Sequence, residues 1–432
     1  MRRLGFILFT ASIVATMPVA VHAAPSAITF TYGHHLFTIS VSAHPEWRTP
    51  SERWFYRGLE ATPPARFRSC GKEVPIENDW RKELSVEWNT GNIQRTIDRT
   101  IGSVLSREAG SVTIDRSASG EILFQGVGLT GRDIDLPLAA SLTKTALEQD
   151  IAFVELPVIE TQPAITVNDP ELKNLGIKEV VTIGESVFAK SPVNRRHNIA
   201  VGVSKFKGHL IPKGSVFSFN QILGPVSDRT GYWKELVIQG DATIPDYGGG
   251  LCQVSTTAYR GPWEYGMPIV QRKNHSYAVS YYSPQGTDAT IYPPNVDMKF
   301  KNDTPGALLI QTLTDKHDRA FFIYYGTRDN RKTNIVGPYV TDRVSAPTNE
   351  FISYTTEIPV GEKRKAGEKH DGMKAMWYRE ISTQGSGTVL QYFYSFYEAR
   401  PITFQIGVTA EDMERRTQGT FSDTPSWLPS KP

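Results

Sequence analysis

Three consecutive glycines, Gly248 to Gly250, stand directly before Leu251-Cys252 and a run of residues that can form a helix. Glycine tolerates positive φ and lets other groups approach the backbone closely, so this stretch predicts a tight turn that opens into a helix near Cys252. The first N–H groups of a helix carry positive potential, which lowers the pKa of a nearby thiol. The same groups can hold a developing oxyanion. Cys252 is therefore either a nucleophile, with Gly249 and Gly250 lining its substrate site, or a buried cysteine packed behind a glycine turn.

The N-terminus has the composition of a secretion signal. Two arginines precede an apolar stretch from Leu4 to Ala20, and Val21-His22-Ala23 resembles a cleavage site. An uncleaved anchor is the alternative, although the apolar stretch is short for a membrane span and contains Pro18. We expect residues 1–23 to be a signal peptide and the protein to be exported to the periplasm, cell envelope or extracellular space. No other stretch is apolar enough to span a bilayer, so we expect no integral membrane span after cleavage.

Charge and cysteine content narrow the possible partners. The 432 residues include 47 basic and 45 acidic side chains, a formal charge of +2, without a clustered basic stripe. Nucleic acid is therefore not an expected partner. The two cysteines, Cys70 and Cys252, stand in different surroundings, a polar loop and a glycine turn. An exported protein can form disulfides, but we expect these two to remain unpaired.

The alternation of apolar residues and the turn residues predict an α+β fold. Residues 27–43 alternate as in a β-hairpin that turns near Gly33-His34, and residues 92–105 show the four-residue apolar spacing of a helix. Asp135 is a predicted N-cap for a second helix, whose apolar residues include Leu138, Leu142 and Ala146.

These patterns predict five segments after the signal peptide. The first two are an α+β domain at 25–170 and a connection near 168–193. A site-bearing, β-rich domain follows at 195–315, with a β-rich C-terminal region at 320–408. The polar residues 410–432 have the composition of a disordered tail.

Several blocks of the central segment resemble, in order, the VanW family domain. They are Gly214–Asn220, Gly224-Pro225, Gly231-Tyr232, the glycine–cysteine run, Arg272 with His275-Ser276, Gly286–Thr290 and Asp297–Asn302. Residues 25–170 are similar, through weaker signatures, to the peptidoglycan-binding-like region that often precedes a VanW domain. The resemblance implies a protein of the cell wall. Some members look like L,D-transpeptidases with a cysteine nucleophile, and the resemblance carries that role to Cys252.

One segment departs from the family pattern. Where the family has a smooth, alanine-rich helix, this chain has Arg260-Gly261-Pro262-Trp263. Proline lacks a backbone donor, so we expect Pro262 to bend or end the helix about three turns after its start.

Acyl transfer by a cysteine requires a base, and His275 is the best candidate by residue type. Asp288 is the nearest acidic residue downstream and can orient the imidazole, or it can satisfy a turn. Arg272 can bind a substrate carboxylate, with a surface salt bridge as the alternative.

Two further residues are candidates for substrate contact. Asn220 can bind substrate or hold its own loop, and Ser255 can contact substrate or, with Thr256, cap the helix. We expect neither a metal nor a cofactor, because the spacing of Cys252, His275 and Asp288 is not typical of a zinc site.

Two functions from different classes fit this constellation. The first is an exported cysteine acyltransferase that acts on peptidoglycan stem peptides like an L,D-transpeptidase, or as a hydrolase when water is the acceptor. The second is a non-catalytic peptidoglycan-binding protein, an accessory to glycopeptide resistance, in which Cys252 only packs.

Overall fold

A computed structural model describes residues 24–61, 68–69, 72–73, 80–239, 242–383, 385 and 387–417. The predicted signal peptide, Cys70 and residues 418–432 lie outside the described residues. Strands predominate over helices, and the predicted α+β class is confirmed.

Eight α-helices are described: α1 (Thr90–Ile97), α2 (Ser103–Leu105), α3 (Leu136–Glu148), α4 (Pro170–Asn174), α5 (Val193–Ser204), α6 (Phe219–Leu223), α7 (Leu251–Tyr265) and α8 (Ala410–Thr417). A π-helical turn, Asp98–Gly102, joins α1 to α2, and four 3-10 turns span Val41–Ala43, Pro45–Trp47, Asp228–Thr230 and Ser280–Tyr282.

The strands of the first half are β1 (Ala27–Tyr32), β2 (His35–Ser40), β3 (Arg48–Tyr56), β4 (Leu59–Glu60), β5 (Arg68–Ser69), β6 (Lys72–Glu73), β7 (Trp80–Trp88), β8 (Ser111–Arg116), β9 (Ile122–Val127), β10 (Gly131–Ile134), β11 (Phe153–Glu155), β12 (Val158–Thr161), β13 (Ala164–Val167) and β14 (Glu179–Val187). Those of the second half are β15 (Leu210–Ile211), β16 (Val216–Ser218), β17 (Lys234–Gln239), β18 (Ala242–Tyr247), β19 (Ile269–Gln271), β20 (Lys299–Lys301), β21 (Leu308–Thr314), β22 (Arg319–Gly326), β23 (Lys332–Val344), β24 (Glu350–Val360), β25 (Lys363–Gly367), β26 (Gly372–Thr383), β27 (Gly387–Tyr397) and β28 (Ile402–Gly407).

The described chain forms two compact units that interleave along the sequence. Of the described residues, the smaller unit draws on those within 24–31, 37–104 and 134–157, and the larger on those within 32–36, 105–133 and 158–417. These bounds differ from the predicted boundary near residue 170, because β8, β9 and β13 belong to the larger unit.

Within the smaller unit, helix α3 buries a different face from the one its leucines suggest. The Asp135 carboxylate caps the helix as predicted, accepting from Leu138 N at 3.1 Å. Leu138 and Leu142, however, are 46% and 41% exposed. The buried side chains of α3 are Ala139, Ala140, Thr143, Ala146 and Leu147. Small residues on that face let α3 pack closely against α1. The buried face of α3 is therefore the one with small side chains and not the one with Leu138 and Leu142.

The core of the larger unit is a four-stranded antiparallel sheet in the order β14-β22-β21-β15. Along β22, Phe322 and Tyr324 pack with the core that contains α7, while Phe321 and Ile323 pack on the opposite face with β8. All four are 0% exposed. The sheet is therefore buried on both faces. A strand in such a sheet has consecutive apolar residues instead of an alternation, as β22 does.

Strand β14 corrects the prediction that residues 168–193 merely connect two domains. It pairs with β22 along its length, and α7 packs on it. A Cβ on Gly184 would lie 1.9 Å from the Thr257 carbonyl oxygen, so glycine is required for this close approach of strand and helix.

We expected Pro262 to bend or end α7; the helix runs through Pro262 to Tyr265, so it does not end there. A proline inside a helix leaves the carbonyl four residues earlier without its N–H donor. That carbonyl belongs to Ala258, and the Tyr324 hydroxyl donates to it at 2.7 Å. A tyrosine of the neighbouring sheet thus replaces the missing hydrogen bond.

The predicted β-rich C-terminal region forms two three-stranded sheets, β23-β26-β27 and β24-β28-β25. Arg379 of β26 is fully buried, and its guanidinium donates to Met267 O at 2.7 Å and also to Trp263 O at the end of α7. The expected disordered tail begins as helix α8.

Candidate functional site

Cys252 is the second residue of α7, where the sequence predicted a helix start. Gly248 and Gly250 both adopt positive φ, 84° and 111°, and Gly250 is the N-cap. The N–H of Leu251 donates to Gly248 O at 3.0 Å and that of Gln253 to Gly250 O at 2.9 Å. Because the N–H groups of Leu251 and Gln253 form hydrogen bonds within the turn, they are not free to bind an oxyanion as we expected. The Cys252 side chain is partly exposed and forms no disulfide among the described residues.

His275 and Asp288 lie side by side in the loop between β19 and β20. The Asp288 Oδ2 atom accepts from the His275 backbone N–H at 2.8 Å and lies 2.6 Å from ring Nδ1. Both side chains are 3% exposed. The carboxylate fixes the ring orientation and directs the other ring nitrogen, Nε2, away from itself, as in a catalytic triad. Nε2 is buried and forms no hydrogen bond within the described residues.

The thiol and the imidazole are close enough to change each other's ionisation. Burial alone raises the pKa of Cys252, but the nearby His275, with smaller contributions from Thr290 and the Ile291 backbone, outweighs burial and lowers that pKa to about 7. Burial alone lowers the pKa of His275, whereas Asp288 and Cys252 together raise it to about 9. Because Nδ1 is engaged by Asp288, Nε2 is the nitrogen that remains for the thiol. We therefore expect the pair to favour thiolate and imidazolium between about pH 7 and pH 9.

Asp288 is held from two further sides. The Tyr397 hydroxyl donates to Oδ1 at 2.6 Å, and Arg272 Nη2 donates to the same oxygen at 3.1 Å. Burial works against the charged carboxylate, yet His275 and Arg272 hold the pKa of Asp288 well below its usual range. A permanently ionised Asp288 keeps a proton on His275.

The hydrogen bonds of Arg272 do not fit the predicted role of binding a substrate carboxylate. Besides Asp288, its guanidinium donates to Gly286 O at 3.0 Å and to Ser395 Oγ at 2.8 Å. Its side chain is only 5% exposed. With these donors already used, Arg272 acts as a positioning residue for Asp288.

The other predicted contact residues lie inside the protein framework. Asn220 donates to Val296 O at 2.9 Å and holds its own loop, which is the alternative considered for it. Ser255 is 0% exposed and its hydroxyl has no hydrogen-bond partner, so it does not cap α7 as expected. Gly249 is buried against the Leu236 carbonyl. Contact of these residues with substrate stays a prediction.

Three residues of the site carried no clear signal in the sequence. Thr290 Oγ1 lies 3.3 Å from the Cys252 sulfur, and the Tyr282 ring stacks on His275 with centroids 4.3 Å apart. Tyr397 contacts Asp288 from a strand 109 positions later in the chain. Tyr397 is buried at the end of β27, where exposed and more buried side chains alternate.

The loop that carries His275 is fastened to α7 by Arg260. Its Nη2 atom donates to Tyr282 O at 2.9 Å and to Thr287 Oγ1 at 3.0 Å. Farther along, Ala289 N donates to Thr256 Oγ1 at 3.0 Å. These bonds fix the distance between the cysteine-bearing helix and the histidine-bearing loop.

Among the described residues, no group of three or more histidine, cysteine or acidic side chains is arranged to hold a metal ion. Within the same residues, no helix has both the length and the apolar character needed to cross a membrane.

Fold and site together define a strand-rich α+β chain in which a cysteine at a helix start meets a buried histidine–aspartate pair. Residues 194–324 match the family model described as VanW like protein, so the chain contains a VanW-like region and the predicted resemblance is confirmed. The match overlaps the predicted segment 195–315 and includes Cys252, His275 and Asp288.

Two curated relatives are similar to this chain. "Uncharacterized protein YoaR" of Bacillus subtilis (strain 168) is 32% identical over 160 residues, which cover 37% of this chain and 51% of that protein. "Vancomycin B-type resistance protein VanW" of Enterococcus faecalis (strain ATCC 700802 / V583) is 28% identical over 116 residues, 26% of this chain and 42% of that protein. The chain spans about half the length of the curated relatives it matches. A solved structure, "Crystal structure of HP0197-G5", aligns at 20% identity over 19% of this chain and 100% of its own, with a TM-score of 0.09, too low to indicate a common fold.

Proposed function

We propose that this protein is an exported cysteine acyltransferase that acts on peptidoglycan stem peptides in the manner of an L,D-transpeptidase. The observation that carries the proposal is the thiol of Cys252 at the start of α7, beside a His275 ring that Asp288 holds through Nδ1. Helix start, imidazolium and buried carboxylate are the three features that activate a cysteine nucleophile.

The reaction begins with attack of the Cys252 thiolate on the carbonyl carbon that precedes a terminal residue of the stem peptide. The bond to the leaving amine breaks, and that amine takes the proton of His275 Nε2, which leaves a thioester on Cys252. The amine of a neighbouring stem then attacks the thioester carbonyl and gives a proton to the neutral imidazole, while the C–S bond breaks and releases Cys252 as the thiolate. Water in place of the amine gives hydrolysis instead.

The choice of stem peptides as substrate is part of the proposal. One similar protein is named a vancomycin B-type resistance protein, which supports a role at the cell wall. The apolar N-terminal stretch supports export to the compartment where these peptides are found.

The test is incubation of the mature protein with tetrapeptide muropeptides, followed by mass spectrometry. We expect loss of the terminal residue, with either cross-linked dimers or hydrolysed stems as products. Cys252→Ala should abolish both products, while Cys70→Ala, the same change at the other cysteine, should retain them. If wild-type protein gives no product, or Cys252→Ala remains active, the acyltransferase assignment is wrong. Binding without turnover would favour the non-catalytic accessory function.

A further inference from the structure

Arg195, on α5, is a buried arginine whose charge is not neutralised by any carboxylate of the described residues. It is 8% exposed. Its guanidinium donates to Ser191 Oγ at 3.0 Å and to Gln253 Oε1 at 3.2 Å, and it lies 4.3 Å from the centroid of the Tyr281 ring. All three partners are neutral.

Other arginines of the described chain differ from Arg195 in their hydrogen-bond acceptors. Arg196 pairs with Asp318 at 3.2 Å, and Arg272 pairs with Asp288. Arg260 and Arg379 also have no acidic partner in the described part of the chain, but backbone carbonyl oxygens accept three of the four hydrogen bonds of Arg260 and two of the four of Arg379. A buried cation is costly unless anionic or strongly polar groups surround it. Arg195 therefore has capacity for an anion that the protein itself does not supply.

Arg195 packs against the start of α7. A Cβ on Gly250, the N-cap of α7, would stand 3.1 Å from Arg195 Cγ, and Gln253 follows Cys252 directly. On the other side, burial raises the pKa of the Tyr282 hydroxyl and the nearby Arg195 guanidinium opposes that rise. The ring of Tyr282 in turn stacks on His275. The guanidinium is thus close to Gln253, the residue after Cys252, and to Tyr282, whose ring stacks on the imidazole.

We propose that Arg195 binds the free carboxylate of the acyl donor and selects peptides that end in an ionised C-terminus one residue beyond the attacked carbonyl. A guanidinium presents its N–H groups in a fork that matches a carboxylate. The role first considered for Arg272 belongs to Arg195, because the donors of Arg272 are used within the protein. This inference deepens the proposed function and rests on it for the identity of the donor.

The test compares one tetrapeptide stem with a free C-terminal carboxylate to the same peptide with a C-terminal amide. Binding is measured by calorimetry on full-length Cys252→Ala, which cannot turn the peptide over. We expect the amide to bind at least about tenfold more weakly than the carboxylate, as expected for loss of a buried charge-assisted pair. With Arg195→Gln added, the two peptides should bind equally. With Arg196→Gln, the matched control, discrimination should persist.

Turnover by protein with an intact Cys252 separates this inference from the proposed function. If the carboxylate peptide binds more tightly than the amide but neither is turned over, Arg195 remains a carboxylate-binding residue and the acyltransferase proposal is wrong. Turnover of both peptides at equal KM overturns the Arg195 assignment and leaves the acyltransferase. Discrimination that survives Arg195→Gln, or binding of neither peptide, also overturns it. Should Arg195→Gln fail to fold, Arg195→Lys replaces it, and the expected result is reduced discrimination through loss of the fork.

Discussion

Replacing His275 with glutamine tests the activation of the thiol most directly. The pKa of Cys252 is about 7 instead of its ordinary 9.0, and His275 is the largest influence that lowers it. At about 1.4 kcal/mol per pKa unit, this difference is about 3 kcal/mol of preferential stabilisation of the thiolate. In His275→Gln the burial that raises the thiol pKa remains while the cation is lost. We therefore expect a thiol pKa of 9 or above.

The expected effect on labelling follows from the thiolate fraction. At pH 7 about half of the wild-type thiol is ionised, against about 1% for a pKa of 9, so alkylation should slow about fiftyfold. The assay is the rate of iodoacetamide labelling between pH 5 and 10, followed by intact mass in a Cys70→Ser background so that only Cys252 reports. His317→Gln, an exposed histidine in the turn between β21 and β22, is the matched control.

The pKa values of Cys252 and His275 also predict how thiol reactivity and turnover change with pH. The wild-type thiol loses reactivity as pH falls through about 7, because the thiolate becomes protonated. Turnover should fall again above about pH 9, where His275 loses the proton it gives to the leaving group. A wild-type labelling midpoint near 9, or a midpoint near 7 that survives His275→Gln, would refute the ion pair.

Three further changes test other parts of the structure. Tyr397→Phe removes the hydroxyl that donates to Asp288 Oδ1 at 2.6 Å; we expect the alkylation midpoint of the thiol to change and turnover to fall about tenfold, while thermal unfolding moves little. An unchanged midpoint and rate would show that Tyr397 only packs. Tyr324→Phe leaves the Ala258 carbonyl without its donor, so urea unfolding should show a loss of about 1–3 kcal/mol; no loss would mean that this bond does not support the proline-containing helix. Gly250→Ala places a Cβ at φ 111° and within 3.0 Å of packed atoms, and should lower both stability and thiol reactivity; a variant as stable as the wild type would contradict the need for glycine at this N-cap.

Much of the local structure follows from sequence patterns of short range. Glycine tolerance of positive φ places the turn at Gly248–Gly250 and the start of α7 at Leu251. The hairpin of β1 and β2 turns at Gly33, and the Asp135 carboxylate caps α3, as their patterns predicted. Each of these features depends on contacts within a few residues, and such contacts are visible in the order of amino acids alone.

Only the tertiary structure shows which residues that are distant in sequence satisfy each other's hydrogen bonds and charges. Pro262 leaves a carbonyl of α7 without a donor, and whether the helix ends there depends on Tyr324, which belongs to a distant strand. In the same way, residue type alone gave Arg272 a ligand-binding role, but Asp288 and the strand that ends in Tyr397 already occupy its surroundings. A buried charge or carbonyl is satisfied by whatever the fold brings within about 3 Å, and sequence spacing does not record that distance.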